Sequence, residues 1–166
     1  MSEPGSDQTT PIDQQVTQVW ETPSHDEIVE LTKAHVEALE VMKDDMVWVQ
    51  AGMHHIVLHT IGRKSGNEHK VALPYWQDPE GHRIVVASFA GAKNHPSWLH
   101  NLKATPRVKI KGQTTSFWSD AEILDGDERA TIWAQLLADR AWYADYQART
   151  EREIPLVRLP ESETIS

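Results

Sequence analysis

The stretch ASFAGAKNHPSWLHNLKATP, residues 87–106, joins the end of a β-type segment to a short helical one. The residues before it, Ile84, Val85 and Val86, are β-branched and predict a buried strand. Small residues follow, and then Pro96 stands where the first turn of a helix tolerates proline. A strand–loop–helix corner of this kind points backbone N–H groups at a ligand, and anions are the ligands that it favours. The alternative is an ordinary structural corner with Trp98 in the core.

β-type segments lie on both sides of this corner. Turn sequences separate them, and the first three follow one another in meander order, which predicts antiparallel pairing. Because strands dominate and there is no βαβ alternation, the pattern favours a small barrel with peripheral helices over a doubly wound sheet. The predicted strands are residues 55–60, 68–76, 83–88, 108–111, 114–124 and 154–159.

An amphipathic helix is predicted at residues 23–43, where Ser24 and Glu27 have capping-box spacing. Its other face is acidic, whereas helices on membrane surfaces carry Lys and Arg there, so we expect packing against the body and see no signal for peripheral membrane contact. The apolar stripe is Ile28, Leu31, His35, Leu39 and Met42, with His35 as a packed histidine.

A second helix is predicted at residues 127–137, and an aromatic segment, residues 142–146, follows it. The side chains expected to face inward from the second helix are Ile132, Trp133, Leu136 and Leu137.

The length of 166 residues suits one domain. Residues 1–22 are polar and predict a disordered or loosely attached arm, residues 23–160 a single domain, and residues 161–166 a tail. No apolar run reaches the roughly 20 residues of a membrane span, and the N-terminus does not resemble a signal peptide. We therefore expect a cytoplasmic protein.

Charge is distributed unevenly along the chain. Residues 1–50 carry 11 acidic and 2 basic residues, whereas residues 51–166 carry 14 of each. Between residues 61 and 115 there are 9 Lys or Arg and 3 Asp or Glu. An acidic protein with a basic middle is a poor general nucleic-acid binder but a suitable host for a small anionic ligand.

Common catalytic motifs are missing from the sequence. There is no cysteine, no GxSxG, no GxGxxG and no GxxxxGK[ST], which argues against the usual covalent and nucleotide-binding chemistries. His54, His55 and His59 suggest a metal, but no carboxylate is close in sequence and no HExxH spacing exists, so no metal site is predicted.

The sequence GRKSG, residues 62–66, forms a turn between two predicted strands. A hairpin needs the glycines but has no need of Arg63, Lys64 and Ser65. Arg binds phosphate or carboxylate bidentately, Lys adds a point charge, and Ser adds a hydrogen bond. The small-residue corner follows about 22 residues later, which makes the two segments candidates for one anion site.

These segments together resemble the deazaflavin-dependent nitroreductase and quinone reductase family of actinobacteria, whose members bind coenzyme F420. The resemblance extends from about residue 56 to residue 160 and includes GRKSG, the LPYW strand, the HPSWLHNLKATP run and Ile154-Pro155. It implies a mainly β fold with helices, a split β-barrel like that of flavin reductases and pyridoxamine oxidases.

The resemblance also implies roles for individual residues. The cationic turn would hold the phosphate and glutamyl tail, two strands would border the deazaflavin ring, and Tyr143 would approach the ring, with Tyr146 in the substrate pocket. The implied coenzyme-binding residues are Arg63, Lys64, Ser65, His69, Lys70, Val71, Ala72, Leu73, Pro74, Tyr75, Val86, Ala87, Ser88, Phe89, Ser97, Trp98, Leu99, His100, Asn101 and Tyr143.

Four positions depart from the family pattern. His69 stands where the family usually has Arg, and Lys70 is the candidate to replace that contact. Ala72 stands in place of the usual Pro, and Phe89 in place of a Lys or Asn. Arg140 occupies the position of a tyrosine in the nitro-drug-reducing member, so nitroreductase specificity is not carried over.

The activity implied by the resemblance is hydride transfer from the reduced coenzyme to an electrophilic alkene, enone, quinone or nitroaromatic. The protein would supply position and electrostatics, with Tyr143 and Ser88 as the catalytic candidates that hydrogen-bond the acceptor. Two alternatives remain open: an FMN-dependent split-barrel oxidoreductase, and a non-catalytic protein that carries F420.

Overall fold

A computed structural model describes the backbone of residues 25–165 and the side chains of residues 30–165. The predicted arm at residues 1–22 and the side-chain pair Ser24 and Glu27 lie outside these described residues.

The helices of the described chain are α1 His25–Val41, α2 Asp45–Trp48, α3 Ser97–Ala104, α4 Gly126–Asp139 and α5 Trp142–Ala148. The strands are β1 Val49–Gln50, β2 Met53–Ile61, β3 Glu68–Pro74, β4 Trp76–Gln77, β5 Arg83–Val86, β6 Arg107–Lys111, β7 Ser116–Asp120, β8 Glu122–Ile123, β9 Leu156–Leu159 and β10 Glu163–Ile165. A short 3-10 turn, Phe89–Gly91, follows β5.

The strands form two antiparallel sheets. One has the order β1-β2-β6-β7-β10, with β3 also paired to β2, and the other has the order β4-β5-β9-β8. A central core cluster draws Ile56, Leu58 and Phe117 from the first sheet and Val85 from the second. The predicted fold class, a mainly β split barrel with helices, is confirmed.

The strands switch sheets at two places that the sequence patterns do not mark. The predicted strand at residues 68–76 divides at Tyr75 into β3, which pairs antiparallel with β2, and β4, which pairs antiparallel with β5. The predicted antiparallel pairing is therefore confirmed, but β5 belongs to the second sheet, so the three predicted strands do not form a single sheet. The predicted strand at residues 114–124 likewise divides at Ala121 into β7 and β8. Corners of this kind let two sheets enclose one core, and the continuous β-type sequence conceals them.

Helix α1 packs on the first sheet through a stripe that shares Leu39 with the predicted one and adds Val36. Val36 and Leu39 are buried against Trp48 and Val57, whereas Leu31 and Met42 are 54% and 47% exposed. The stripe is displaced because α1 lies across the edge strand β3, where the Thr32 hydroxyl bonds the backbone of Ala72.

Helices α4 and α5 cover the second sheet. Ile132 and Leu136 are buried, and Trp133 and Leu137 pack against the same cluster, so the predicted inward face of α4 is confirmed.

The predicted tail at residues 161–166 is a strand at residues 163–165. These residues pair with β7 in the register Glu163↔Trp118 to Ile165↔Ser116. Backbone hydrogen bonds to the edge of the sheet order this polar sequence, and its assignment as a tail outside the domain stays a prediction. The single domain at residues 23–160 stays a prediction.

Gly91 is predicted to tolerate no side chain. Its φ is +77°, and a Cβ atom would lie 2.8 Å from the backbone oxygen of Tyr146 in α5. Gly81 has a φ of +87° but no atom within 4 Å of its Cβ position. We expect Gly81→Ala to cost about 1–2 kcal/mol of unfolding free energy from the backbone alone, and Gly91→Ala to cost about 1–3 kcal/mol more from the clash.

Urea unfolding of both variants measures this difference. Equal destabilisation would show that α5 yields to the added methyl group.

Candidate functional site

Asn101 joins the cationic turn to the small-residue corner. Its buried Oδ1 accepts hydrogen bonds from the Arg63 backbone N–H at 3.2 Å and from Arg63 Nη1 at 2.9 Å. Its Nδ2 donates to Thr60 Oγ1 at 3.3 Å. The turn between β2 and β3 is thereby fastened to helix α3, and the two segments face one cavity of about 890 Å³.

Most of the residues singled out by the sequence line this cavity. They come from the cationic turn and β3, from the end of β5 and the corner after it, and from α3 and α5. The lining residues from the predicted set are Arg63, Lys64, Ser65, His69, Lys70, Val71, Ala72, Leu73, Pro74, Val86, Ser88, Phe89, Ser97, Trp98, Asn101, Tyr143 and Tyr146.

Four predicted coenzyme-binding residues do not line the cavity. Ala87 and Leu99 are fully buried in the central core, because side chains alternate along the strand and Leu99 is on the core face of α3. Tyr75 packs against the Arg83 guanidinium, and the His100 ring lies 5.8 Å from that of His95. For the side chains of these four the structure gives no support to the predicted contact.

The cavity wall is electrically one-sided. Arg63, Lys64 and Lys70 line it, and no Asp or Glu does so within the described part of the chain. Lys70 Nζ forms an ion pair with Glu40 Oε2 of α1 at 2.8 Å, so Lys70 is already partly neutralised. Its proposed replacement of the family arginine therefore competes with α1, and Arg63 and Lys64 provide most of the attraction for an anion.

Sequence analysis missed the wall that α1 and the β1–β2 turn contribute. The rings of His35 and His55 meet in this wall with centroids 4.8 Å apart and planes tilted by 60°. His35 is packed as predicted, with Nε2 2.8 Å from the Val47 oxygen, but it also faces the cavity. The other lining residues that were not predicted are Leu31, Thr32, Gln50, Ala51, Met53, Thr60, Gly62, Ala90, Pro96 and Trp142.

His55 is neutral at physiological pH. Burial, the larger cause, and the neighbouring His35 together lower its pKa to about 4. The sequence could show that His35 lies in a helical stripe and His55 in a strand. It could not show that both residues face one cavity.

Helix α5 contributes an aromatic part of the cavity wall. The rings of Tyr143 and Tyr146 meet edge to face at 5.8 Å, and Trp142 lies 5.5 Å from Tyr143. Burial raises the pKa of Tyr143, and burial together with Tyr143 raises the pKa of Tyr146 to about 12. Both phenols are protonated at neutral pH, so they can donate hydrogen bonds.

The histidines considered for a metal are separated. His55 lines the cavity, His54 is exposed, and His59 is buried with Nδ1 3.3 Å from Glu68 Oε2. The metal-type group that the described residues do form, Asp78, Glu80 and His82, lies away from the cavity. There the Asp78 Oδ1 accepts the backbone N–H groups of Glu80 and His82 and stabilises the turn.

Within residues 25–165, no helix combines the length and the apolar character that crossing a membrane requires.

Known proteins are similar to this chain in sequence and in fold. An F420H(2)-dependent quinone reductase of Mycobacterium tuberculosis is 35% identical over 107 residues, which are 63% of this chain and 71% of that protein. The solved structure of an F420-H2 dependent reductase, FDR-A, is 33% identical with a TM-score of 0.55 and covers 64% of this chain and 93% of its own. Another solved structure, described as a domain-swapped dimer, is 29% identical with a TM-score of 0.58 and covers 77% of this chain and 96% of its own.

The family model for F420H(2)-dependent quinone reductase matches residues 31–161. This match begins inside α1 and ends after β9, so it contains every segment that lines the cavity. The chain therefore belongs to the F420H(2)-dependent quinone reductase family.

Proposed function

We propose that this chain transfers hydride from reduced coenzyme F420 to a quinone, and that the cavity of about 890 Å³ holds both reactants. The observation that carries the proposal is that this one cavity is lined both by Arg63, Lys64 and Ser65 and by Tyr143 and Tyr146. The residue roles that follow are part of the proposal.

The residues present fit the coenzyme. A cavity of about 890 Å³ is near the upper end of the range for small-molecule sites, which suits a coenzyme and an acceptor together. Arg63, Lys64 and Ser65 would hold the phosphate, and the absence of carboxylates from the described wall favours an anion there. Apolar side chains of β3 and β5, Val71, Leu73 and Val86, would border the ring.

When bound, the reduced deazaflavin supplies a hydride from its ring carbon. The chain contributes position, exclusion of water and hydrogen bonds. Trp98 and the apolar residues of β3 and β5 exclude water, and the Asn101–Arg63 contact sets the position of the cationic turn. Orientation of two reactants in one cavity is the main source of rate acceleration in such a site.

Tyr143 and Ser88 are the candidates for stabilising the acceptor. Negative charge develops on a quinone oxygen as it receives hydride, and preorganised hydrogen-bond donors stabilise that charge. The buried, protonated Tyr143 phenol can donate such a bond, and Ser88 lines the same cavity. Tyr146 and Trp142 would form the apolar side of the acceptor site. Enones and nitroaromatics are electrophiles of similar reactivity and belong in the same assay.

Titration with F420 and with FMN is the direct test. We expect quenching of F420 fluorescence with a dissociation constant on the order of micromolar, weaker binding of FMN, and oxidation of reduced F420 when a naphthoquinone is added. Preferential binding of FMN would contradict F420 as the coenzyme and favour an FMN-dependent enzyme. Binding of F420 without reduction of quinone, enone or nitro acceptors would indicate a carrier protein.

Lys64→Met is expected to weaken F420 binding by roughly 5- to 20-fold at low salt. The substitution removes from the anion site a cation that forms no ion pair with the described residues. The loss should shrink as ionic strength rises. Lys43→Met is the matched control, since Lys43 is also exposed and does not line the cavity. Fluorescence titration at two salt concentrations measures the F420 affinity of both variants. Equal losses of affinity would mean that the net charge of the protein, and not the position of Lys64, determines F420 binding.

Tyr143→Phe is expected to lower kcat for quinone reduction by roughly 10- to 100-fold while F420 affinity changes little, since the lost bond forms as charge develops. Because burial raises the pKa of Tyr143, the wild-type rate should show no loss from its ionisation between pH 7 and about 10. Steady-state kinetics across this range measure the effect. Ser119→Ala, which removes a buried hydroxyl outside the cavity, should leave kcat unchanged. A wild-type kcat in Tyr143→Phe would remove Tyr143 from the chemistry.

A further inference from the structure

The corner that presents Ser88 and Phe89 to the cavity has a strained backbone. Phe89, Ala90 and Gly91 have φ values of 47°, 54° and 77°. The left-handed conformation costs a residue with a side chain roughly 1–2 kcal/mol, and two of these three residues carry one. Such strain persists only where the surroundings over-determine the conformation.

Arg152, in the segment between α5 and β9, supplies that constraint. Its Nε donates to the Ala92 oxygen at 2.9 Å, its Nη2 to the Ser88 oxygen at 2.7 Å, and its Nη1 to the Ala87 oxygen at 3.1 Å. One planar guanidinium therefore holds backbone carbonyls on both sides of the three left-handed residues.

A fourth hydrogen bond connects the same guanidinium to the segment just before α3. Arg152 Nη1 lies 2.9 Å from His95 Nδ1. Burial lowers the pKa of His95, and the charge of Arg152 lowers it further, so the ring is neutral and Nδ1 accepts the bond. Among the ion pairs of the described chain none includes Arg152, so its donors serve the corner.

Helix α5 supports the corner from a second direction. The space beside Gly91 is filled by the Tyr146 oxygen and by the Arg149 side chain, which would meet a Cβ at 2.8 Å and 3.0 Å. The corner is thus enclosed by the segment that carries Tyr146 and by Arg152, and a change at Arg152 would relax the corner on one side only.

We propose that Arg152 is a positioning residue for the reaction: it holds residues 87–92 in the conformation that places Ser88 and Phe89 in the cavity wall. Arg152 does not itself line the cavity. Its effect on turnover rests on the proposed function, whereas its effect on the corner does not.

The corner is tested by amide hydrogen exchange of the wild type, Arg152→Met and Arg152→Lys. The Gly91 and Ala92 amides donate to the Ser88 and Phe89 oxygens at 2.9 Å and 3.0 Å and report on the corner. We expect both amides to exchange at least about tenfold faster in Arg152→Met, and at an intermediate rate in Arg152→Lys. An ammonium group cannot reproduce the planar arrangement of donors by which the guanidinium reaches several carbonyls at once.

Turnover of reduced F420 with a naphthoquinone provides the second readout. We expect Arg152→Met to lower kcat by roughly 10- to 100-fold, with a much smaller change in KM and in F420 affinity, and Arg152→Lys to recover part of kcat. The matched control is Arg158→Met. Arg158 is also half-buried and hydrogen-bonded, but its partners are Glu122 and Glu128, and none of these three residues lines the cavity. It should lower the unfolding free energy without changing the exchange of the corner or kcat.

Wild-type exchange and wild-type kcat in a folded Arg152→Met would overturn the proposal. If Arg152→Met does not fold, Arg152→Lys decides: faster exchange confined to residues 88–92 supports the proposal, and exchange equal to the wild type overturns it. An inactive wild type would instead overturn the proposed function, and the exchange data would still decide the role of Arg152 in the corner.

Discussion

The site depends on one buried amide. Asn101 accepts two N–H groups of Arg63 and donates to Thr60, and it is only 5% exposed. A buried polar group left without partners costs roughly 1–3 kcal/mol, so the cationic turn cannot move away from α3 without that penalty. The exposed hairpin turn is therefore held against α3, where its residues line the cavity.

The lining residues of the cavity divide into two chemical groups. The cationic turn supplies cations without carboxylates in the described wall, although the chain as a whole has a net charge of −9. Tyr143, Tyr146 and His55 supply protonated phenols and a neutral imidazole. The first group attracts an anion, while the second offers uncharged donors to an acceptor on which charge develops only during the reaction. This division suits hydride transfer, and the described cavity wall supplies no thiol and no carboxylate that could act as a nucleophile.

Helix α1 has two consequences for this cavity. Its Thr32 satisfies the Ala72 backbone at the exposed edge of β3, and its Glu40 neutralises Lys70. An unpaired edge strand would otherwise invite association with another chain. At the same time Leu31 and His35 complete the cavity wall. The helix that looked like a peripheral cover in the sequence is therefore part of the site.

Much of the fold was predictable from the sequence because it depends on local patterns. β-branched runs and turn residues determined where strands form, the apolar spacing of Ile132 and Leu136 determined the inner face of α4, and the residues of GRKSG and of the 87–106 corner indicated an anion site. Patterns of this kind are short-range, and each can be read without knowing where the rest of the chain lies.

Tertiary structure alone decided how these elements meet. The bends at Tyr75 and Ala121 move strands between sheets within continuous β-type sequence, and pairing with β7 orders the polar residues 163–165. His35 and His55 share a wall only because α1 crosses β3, and Arg152 reaches the corner from about 60 residues away in the chain. The sequence determined which residues could bind an anion; the packing of distant segments decided which of them face one cavity, because such contacts have no local signature.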